Sequence, residues 1–286
     1  MKQYPYKTCL RYPGGKSKAL KTLAPWFPAG MSEYREPFIG GGSVAIMVSQ
    51  NFPNMPIWVN DKYVYLYNFW TQLRDNGQEL SDKLLEIKQS VEGDDKEARK
   101  LFDDHKLKIS KSEGVDQAVS FFILNKCSYS GLTENSTFSV QASKSNFSQV
   151  GIKKLPAYSK IIQNWKITNL DYSELLKAKG EDVFVFLDPP YDIKSFLYGT
   201  ERKMHSNFCH IRFAKDVEEC KHKFMITYNV NDWLVERYKN FYQREFLLQY
   251  SMVHRKNNKK AELLISNYDV APEANTLQSF FENEVK

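Results

Sequence analysis

Short apolar runs bounded by charged and turn-forming residues mark both ends of the chain, and the clearest is Val183-Phe184-Val185-Phe186-Leu187. Unbroken runs of this length read as strands buried on both faces of a sheet. On that basis strands fall at about 34–39, 57–60, 166–170, 183–187, 223–228, 246–253 and 262–267. Helical patterns alternate with them, which predicts an α/β fold with a mostly parallel sheet. The middle of the chain has another period. From about 74 to 126 it is charged and helically spaced, with no buried-strand signal. Residues 131–151 (GLTENSTFSVQASKSNFSQVG) then turn polar, which predicts a loop or an exposed hairpin. A helical stretch inside an α/β pattern predicts an inserted lobe at 74–160, a core made of 1–73 and 161–269, and a flexible tail over 270–286. No internal repeat is present.

Composition changes this picture little. The 286 residues suffice for one sizeable core and a smaller lobe, and 42% hydrophobic with 26% charged residues is ordinary for a globular enzyme. No apolar run approaches the roughly 18 residues of a membrane span. The first residues lack the continuous apolar stretch of a signal peptide, so the expectation is a cytoplasmic protein. Cys9, Cys127, Cys209 and Cys220 are scattered, which fits reduced thiols better than a disulfide framework. A net charge of +6 suits a polyanionic partner without requiring one.

Candidate chemistry begins where the run 183–187 stops, at Asp188-Pro189-Pro190-Tyr191. Ligands of open parallel sheets bind at the carboxyl ends of strands, so this turn faces the expected crevice. Two prolines stiffen the backbone and remove two N–H donors, leaving carbonyl acceptors. Asp188 adds a further acceptor and Tyr191 a flat face, a set suited to a heterocycle bearing an amino group. Such an amino nitrogen is a poor nucleophile because its lone pair is delocalised into the ring. Two acceptors on its hydrogens favour a more pyramidal nitrogen, and alignment with a methyl donor supplies much of the acceleration. The plainer reading is a rigid turn with a solvated aspartate.

A second constellation lies upstream. The strand at 34–39 runs into Gly40-Gly41-Gly42 ahead of a predicted helix at 43–48, which allows close approach of backbone to a ligand. About twenty residues on, Asp61 follows the strand at 57–60, where an acid commonly accepts ribose hydroxyls; the alternative is a helix cap. Gly14-Gly15-Lys16-Ser17 invites a phosphate-loop reading, but Leu10 stands where that motif needs glycine and no buried strand precedes it. Lys16 beside two glycines suits a carboxylate instead, such as that of a methionine moiety.

Arg11-Tyr12-Pro13-Gly14-Gly15-Lys16, Glu36-Pro37-Phe38-Ile39-Gly40-Gly41-Gly42, Asn60-Asp61 and Asp188-Pro189-Pro190-Tyr191 occur in this order. Together with Leu124-Asn125-Lys126, Tyr129-Ser130-Gly131-Leu132 and Glu262-Leu263-Leu264, the set resembles the Dam-type (D12 class) DNA adenine methyltransferases. The resemblance implies a Rossmann-like, S-adenosylmethionine-dependent core with a mostly helical DNA-recognition lobe inserted before the catalytic strand. It implies that Tyr12, Gly14, Gly15, Lys16, Phe38, Gly40, Gly42, Asp61 and Asp188 surround the cofactor. Asp188, Pro189, Pro190 and Tyr191 would hold and stack a flipped adenine, and Arg11 would reach the target DNA. Cys127 and Ser130 depart from the family's usual Tyr and Asn, and Thr137-Phe138-Ser139-Val140-Gln141 replaces its usual Phe-Asn-Val-Pro stretch. The family's commonest target, GATC, is therefore not carried over to this chain.

Extruding a paired base costs a few kcal/mol, so a cationic grip on the duplex is expected. Arg255, Lys256, Lys259 and Lys260, read as a loop between the last two strands, are candidates for phosphate contact, the alternative being a solvated hairpin. Lys126, Tyr129 and the polar segment after Gly131 are candidates for target recognition. His205, Cys209, His210, Cys220 and His222 cluster in sequence, but the adjacent Cys209-His210 spacing is awkward for one tetrahedral ion, so no metal is expected. No Pro-Cys pair supports cytosine carbon-5 chemistry. In the tail, Leu277, Phe280 and Phe281 resemble the anchors of a sliding-clamp-binding peptide, although Ala274 stands where that motif has Gln; packing on the chain itself is the alternative. Rival functions are cytosine-N4 methylation, methylation of RNA or a protein amide, and a DNA-binding module that kept the fold without catalysis.

Overall fold

In the computed structural model, which describes residues 6–191, 208–249 and 259–270, seven strands form one sheet. They are β1 (Glu33–Glu36), β2 (Ile57–Asn60), β3 (Trp165–Thr168), β4 (Val183–Leu187), β5 (Lys223–Asn229), β6 (Tyr242–Gln249) and β7 (Lys259–Ser266). Their order is β3-β2-β1-β4-β5-β7-β6, with β1 to β5 parallel and the β6–β7 pair antiparallel at one edge. The mixed α/β fold read from the apolar runs is the one observed.

Both faces of the sheet are covered, which is why β4 could be an unbroken apolar run. Phe184, Phe186, Met225 and Leu264 face one core. That core is shared with α1 (Leu20–Leu23), α2 (Ser43–Asn51), α3 (Val64–Ser90), α4 (Asp95–Lys108) and α5 (Gly114–Cys127). Val183, Val185, Leu187, Ile226 and Ile265 face the other core, against Tyr172, Leu176, Phe213, Val217 and Leu234. Helix α3 starts at Val64, ten residues before the expected insert. Its first turns pack on the sheet, where Trp70 lies 5.6 Å from the Trp165 ring, because Leu66, Phe69, Trp70 and Leu73 recur at helical spacing. Asn76 leaves helical geometry (φ −129°), and at Gly77 a Cβ would stand 2.5 Å from that of Ser159, so only glycine admits this neighbour.

The polar segment 131–151 is neither a loop throughout nor a hairpin. It carries α6 (Val140–Asn146) and α7 (Gln149–Ile152), followed by α8 (Leu155–Ile161). Ser139 and Ser148 cap the first two by accepting from the Ala142 and Gly151 amides at 3.2 Å each, so the Ser-rich composition marked helix starts. The second core is completed by α9 (Tyr172–Lys177), α10 (His210–Glu218) and α11 (Asp232–Arg237). Strand β6 begins at Tyr242, earlier than its apolar half indicated, because the edge strand mixes polar with apolar positions. Lys259 and Lys260 are not loop residues: their backbone belongs to β7, in register with Gln249 and Leu248. Among the described residues no helix is long and apolar enough to cross a membrane. His205, Arg255, Lys256, Leu277, Phe280 and Phe281 lie outside the described residues.

Candidate active site

Strand β1 continues to β2 on one side while β4, its other neighbour, continues to β5 on the opposite side. Strand order reverses there, and the crevice beyond the carboxyl ends of such a pair is where open α/β sheets bind ligands. The segments after β1 and β4 run into this crevice, and the residues around Lys16 close over it.

Lys16 opens a short 3₁₀ turn (Lys16–Lys18) and is only 2% exposed. Its Nζ donates to the Gly14 carbonyl (3.0 Å), to Asp188 Oδ2 (2.8 Å) and to the Tyr191 hydroxyl (2.8 Å). A buried ammonium costs several kcal/mol unless paired in this way. Asp188 Oδ1 accepts from the Tyr191 hydroxyl at 3.0 Å and from Thr227 Oγ1 at 2.8 Å. The acid of the proline turn is thus gripped from three directions. On the same side of the sheet, Glu36 is buried and accepts from the Tyr34 hydroxyl at 2.7 Å. Burial pushes the Glu36 carboxyl up to about 8; the Tyr34 bond opposes the rise and the Asp188 charge adds to it.

The glycine loop is shaped by aromatic neighbours. Gly40 and Gly42 have φ of +46° and +67°. A Cβ at Gly40 would meet the Tyr12 ring at 2.9 Å, and one at Gly42 would meet Trp70 at 2.7 Å. The Trp70 indole N–H donates to the Gly40 carbonyl (3.1 Å), and Thr8 donates to that of Gly41. Asp61 ties this loop to β2: Oδ2 accepts from the Gly40 amide and Oδ1 from the Tyr63 amide, each at 3.0 Å. Burial raises its carboxyl to about 6 against the pull of those bonds. Asp61 therefore holds the loop and the approach to α3, whose cap position is Tyr63. Phe38 turns to the second face, where its ring lies 5.5 Å from Tyr172 and 5.9 Å from Phe213.

Arg11 lies against the end of α5. Asn125 accepts from its amide (3.0 Å) and donates to its carbonyl (2.7 Å), and the guanidinium donates to the Ser128 carbonyl (2.8 Å). Lys126 is half-buried, with its ammonium 5.2 Å from the Phe122 ring centre, and burial lowers it to about 8. Tyr129 is 65% exposed. Ser130 and Thr133 in the same turn have positive φ, 55° and 54°. The Tyr12–Lys16 segment, the glycine loop, Asp61 and the proline turn therefore converge, with Arg11, Lys126 and Tyr129 on the helical side. Among the described residues, the cysteines and histidines of the 205–222 stretch find separate partners. Cys209 caps α10 through the Arg212 amide, His210 meets the Tyr228 hydroxyl at 3.1 Å, and His222 meets the Ala178 carbonyl at 2.8 Å. Among the described residues no three His, Cys, Asp or Glu side chains could hold a metal.

Glu36, Tyr34 and Thr227 were not read from the sequence as members of this site. Two glutamates and an arginine inside Glu33-Tyr34-Arg35-Glu36, a central buried strand, were a signal for the first two. Thr227 carried none, since threonine is at home in strands.

Residues 12–262 match the family described as D12 class N6 adenine-specific DNA methyltransferase. The chain is 26% identical to the type II methyltransferase M.MjaIII of Methanocaldococcus jannaschii, over 92% of this chain and 99% of that protein. It is 24% identical to the type II methyltransferase M.CviBI of Paramecium bursaria Chlorella virus NC1A, over 85% and 91% respectively.

Proposed function

The chain belongs to the D12 class of N6 adenine-specific DNA methyltransferases, and from that premise we propose that Asp188-Pro189-Pro190-Tyr191 is its catalytic turn. The observation that carries the reading is the convergence of Lys16, Tyr191 and Thr227 on Asp188 at the reversal of strand order. The family implies S-adenosylmethionine as donor, and the residues fit it. Lys16 offers a cation for its carboxylate, and Asp61, at the end of β2, keeps lone pairs for ribose hydroxyls beyond the two it gives to amides. Tyr12, Gly14, Gly15, Gly40 and Gly42 complete that wall, and Phe38 backs it from the second face. When bound, the group supplies an electrophilic methyl on a cationic sulfur.

Asp188 then accepts one hydrogen of the adenine amino group and the Pro189 carbonyl the other, while Tyr191 stacks on the extruded base and Pro190 stiffens the turn. With the donor held by Lys16 and Asp61, its methyl would pass to the amino nitrogen while the sulfur keeps the carbon–sulfur electron pair, and the proton shed by the nitrogen would go to the Asp188 carboxylate and on to water. Most of the gain comes from alignment. The helices after the Asn76 kink, within 74–160, form the target-recognition lobe, with 1–73 and 161–269 as the core. Arg11, Lys126 and Tyr129 face the target, and Arg255, Lys256, Lys259 and Lys260 hold phosphates. Exposure of Tyr129 and the clasp of Asn125 on Arg11 support this arrangement.

Tritiated methyl transfer to unmethylated duplex DNA, followed by nucleoside analysis, tests the proposal. Label is expected in N6-methyladenine; label in methylcytosine, or none in DNA, overturns it. Asp188→Ala is expected to lower transfer by at least about a hundredfold, and retained turnover would show that the turn is misassigned.

A further inference from the structure

Strand β5 reads Lys223-Phe224-Met225-Ile226-Thr227-Tyr228-Asn229, and Thr227 is the polar interruption of its buried stretch. Its side chain is fully buried. A hydroxyl taken out of water without a partner costs roughly 1–3 kcal/mol, so its bond identifies its purpose. That bond runs across the sheet to Asp188 Oδ1, at 2.8 Å. Register explains the meeting. Leu187 pairs with Ile226 across the parallel β4–β5 ladder, so Asp188 and Thr227 are the next residues on and share a face.

Resting on the function proposed above, we propose that Thr227 is a positioning residue that fixes the rotation of the Asp188 carboxylate, so that Oδ2 is the oxygen presented to the adenine amino group. The terminal torsion of an aspartate is soft, with a broad two-fold profile, and covalent geometry alone does not choose which oxygen faces the substrate. Thr227 and the Tyr191 hydroxyl both donate to Oδ1. Two donors on one oxygen pin the carboxylate plane and occupy its lone pairs. Lys16 Nζ is the remaining donor, and it reaches both oxygens, at 2.7 Å to Oδ1 and 2.8 Å to Oδ2. Oδ2 has no other partner among the described residues. When Lys16 turns toward a carboxylate of the donor, Oδ2 is released to the amino group while Oδ1 stays held. Tyr191 belongs to the same turn as Asp188, whereas Thr227 reaches it from a neighbouring strand of the sheet. Thr227 is therefore the fixed reference from which the acid is aimed.

Thr227→Val, which keeps the shape and removes the hydroxyl, separates positioning from packing. Single-turnover methyl transfer to duplex DNA is expected to fall about ten- to a hundredfold, the scale of one hydrogen bond to a charged group. Donor affinity, read by fluorescence quenching with S-adenosylhomocysteine, should change less than about twofold, because among the described residues the Thr227 hydroxyl bonds Asp188 Oδ1 and none of the residues proposed to hold the donor's carboxylate or ribose. Thr227→Ser, which restores a hydroxyl, should recover most of the rate. A Thr227→Val enzyme as fast as the parent, or a Thr227→Ser enzyme as slow as Thr227→Val, overturns the inference. So does a Thr227→Val enzyme whose donor affinity falls in step with its rate, since that pattern reports damaged packing. If Thr227→Val does not fold, Thr227→Ala and Thr227→Ser are compared by the same criteria. Failure of the underlying function reads differently: the unsubstituted enzyme itself would then transfer no methyl to DNA adenine.

Discussion

Glu36 and Arg35 sit side by side on a central strand and face opposite sides of the sheet, so one sequence step separates two electrostatic solutions. Arg35 is almost fully buried. It bonds Glu33 (2.6 Å) and the carbonyls of Leu175, Ala178 and Lys179 (2.8, 2.7 and 2.8 Å), and it lies over Trp58. Arg35→Ala would take its donors from the Leu175 and Lys179 carbonyls and leave Ala178 only its His222 contact, and a loss of about 3 kcal/mol is expected in urea denaturation. Glu36 makes no ion pair among the described residues, feels Lys16 only at a distance, and under burial its carboxyl rises from 4.5 to about 8. A raised acid holds a proton that the unfolded chain releases, so its contribution to stability is complete below about pH 4.5 and is lost as pH rises through about 8. Asp61, raised from 3.8 to about 6, acts in the same direction over a lower window. Thermal midpoints of the ligand-free protein should therefore decline between about pH 5 and 8, and Glu36→Gln should flatten the upper part of that decline. Parallel curves for the two proteins would assign the decline to other groups. Tyr34 donates its hydroxyl to the Glu36 carboxyl, and burial pushes that hydroxyl well up.

At the scale of elements, the loop between β1 and α2 shows how a glycine triplet comes to be required. Backbone conformation accounts for part of it, since an L-residue at positive φ costs roughly 1 kcal/mol. Trp70, about thirty residues away on α3, accounts for the rest by closing on Gly42. Gly42→Ala should cost about 3 kcal/mol, combining strain with overpacking, and should weaken donor binding. Gly14→Ala shares the positive φ (74°) but meets nothing within 4 Å, so about 1 kcal/mol is expected. Calorimetric midpoints for the two variants check this ranking; equal losses would mean that Trp70 yields. The glycine triplet was legible as a ligand-approach loop. Its tie to Asp61 through the Gly40 amide and its cover by Tyr12 were not, because both depend on segments brought together by the sheet. The serine-rich stretch misled for a related reason: Ser139 and Ser148 favour turns and helix caps equally, and the packing of Ala142, Phe147 and Ile152 chose the caps.

For the whole molecule, the strand order sets the two subsites proposed above on adjoining strands, the donor's beside β1 and β2 and the base's beside β4 and β5. Donor binding should stabilise the fold by mass action, about 2.7 kcal/mol at a hundredfold excess over Kd, seen as a rise of several degrees in the thermal midpoint. Binding of DNA should depend steeply on salt. With Arg11, Lys126, Arg255, Lys256, Lys259 and Lys260 proposed at the duplex, a log–log slope of about −5 is expected, reduced by about 2 in the Arg255→Ala, Lys256→Ala variant. An unchanged slope would remove those two residues from the phosphate contacts. The net charge of +6 is consistent with such a partner and by itself identifies none.

What the sequence by itself determined was local in origin. An apolar run ending in Asp188-Pro189-Pro190-Tyr191, glycines before a helix, and an acid after a second strand are each written within a few neighbouring residues. Their order along the chain was enough to indicate the family. Tertiary structure alone decided which strands are neighbours, and so that Thr227 faces Asp188, that Lys16 closes on both Asp188 and Tyr191, and that Trp70 shapes the glycine loop. Those meetings span 39, 172 and 30 positions of chain. Periodicity and turn chemistry report on a residue's own element, whereas register between elements is set by the burial of whole faces, and no short stretch of sequence carries that information.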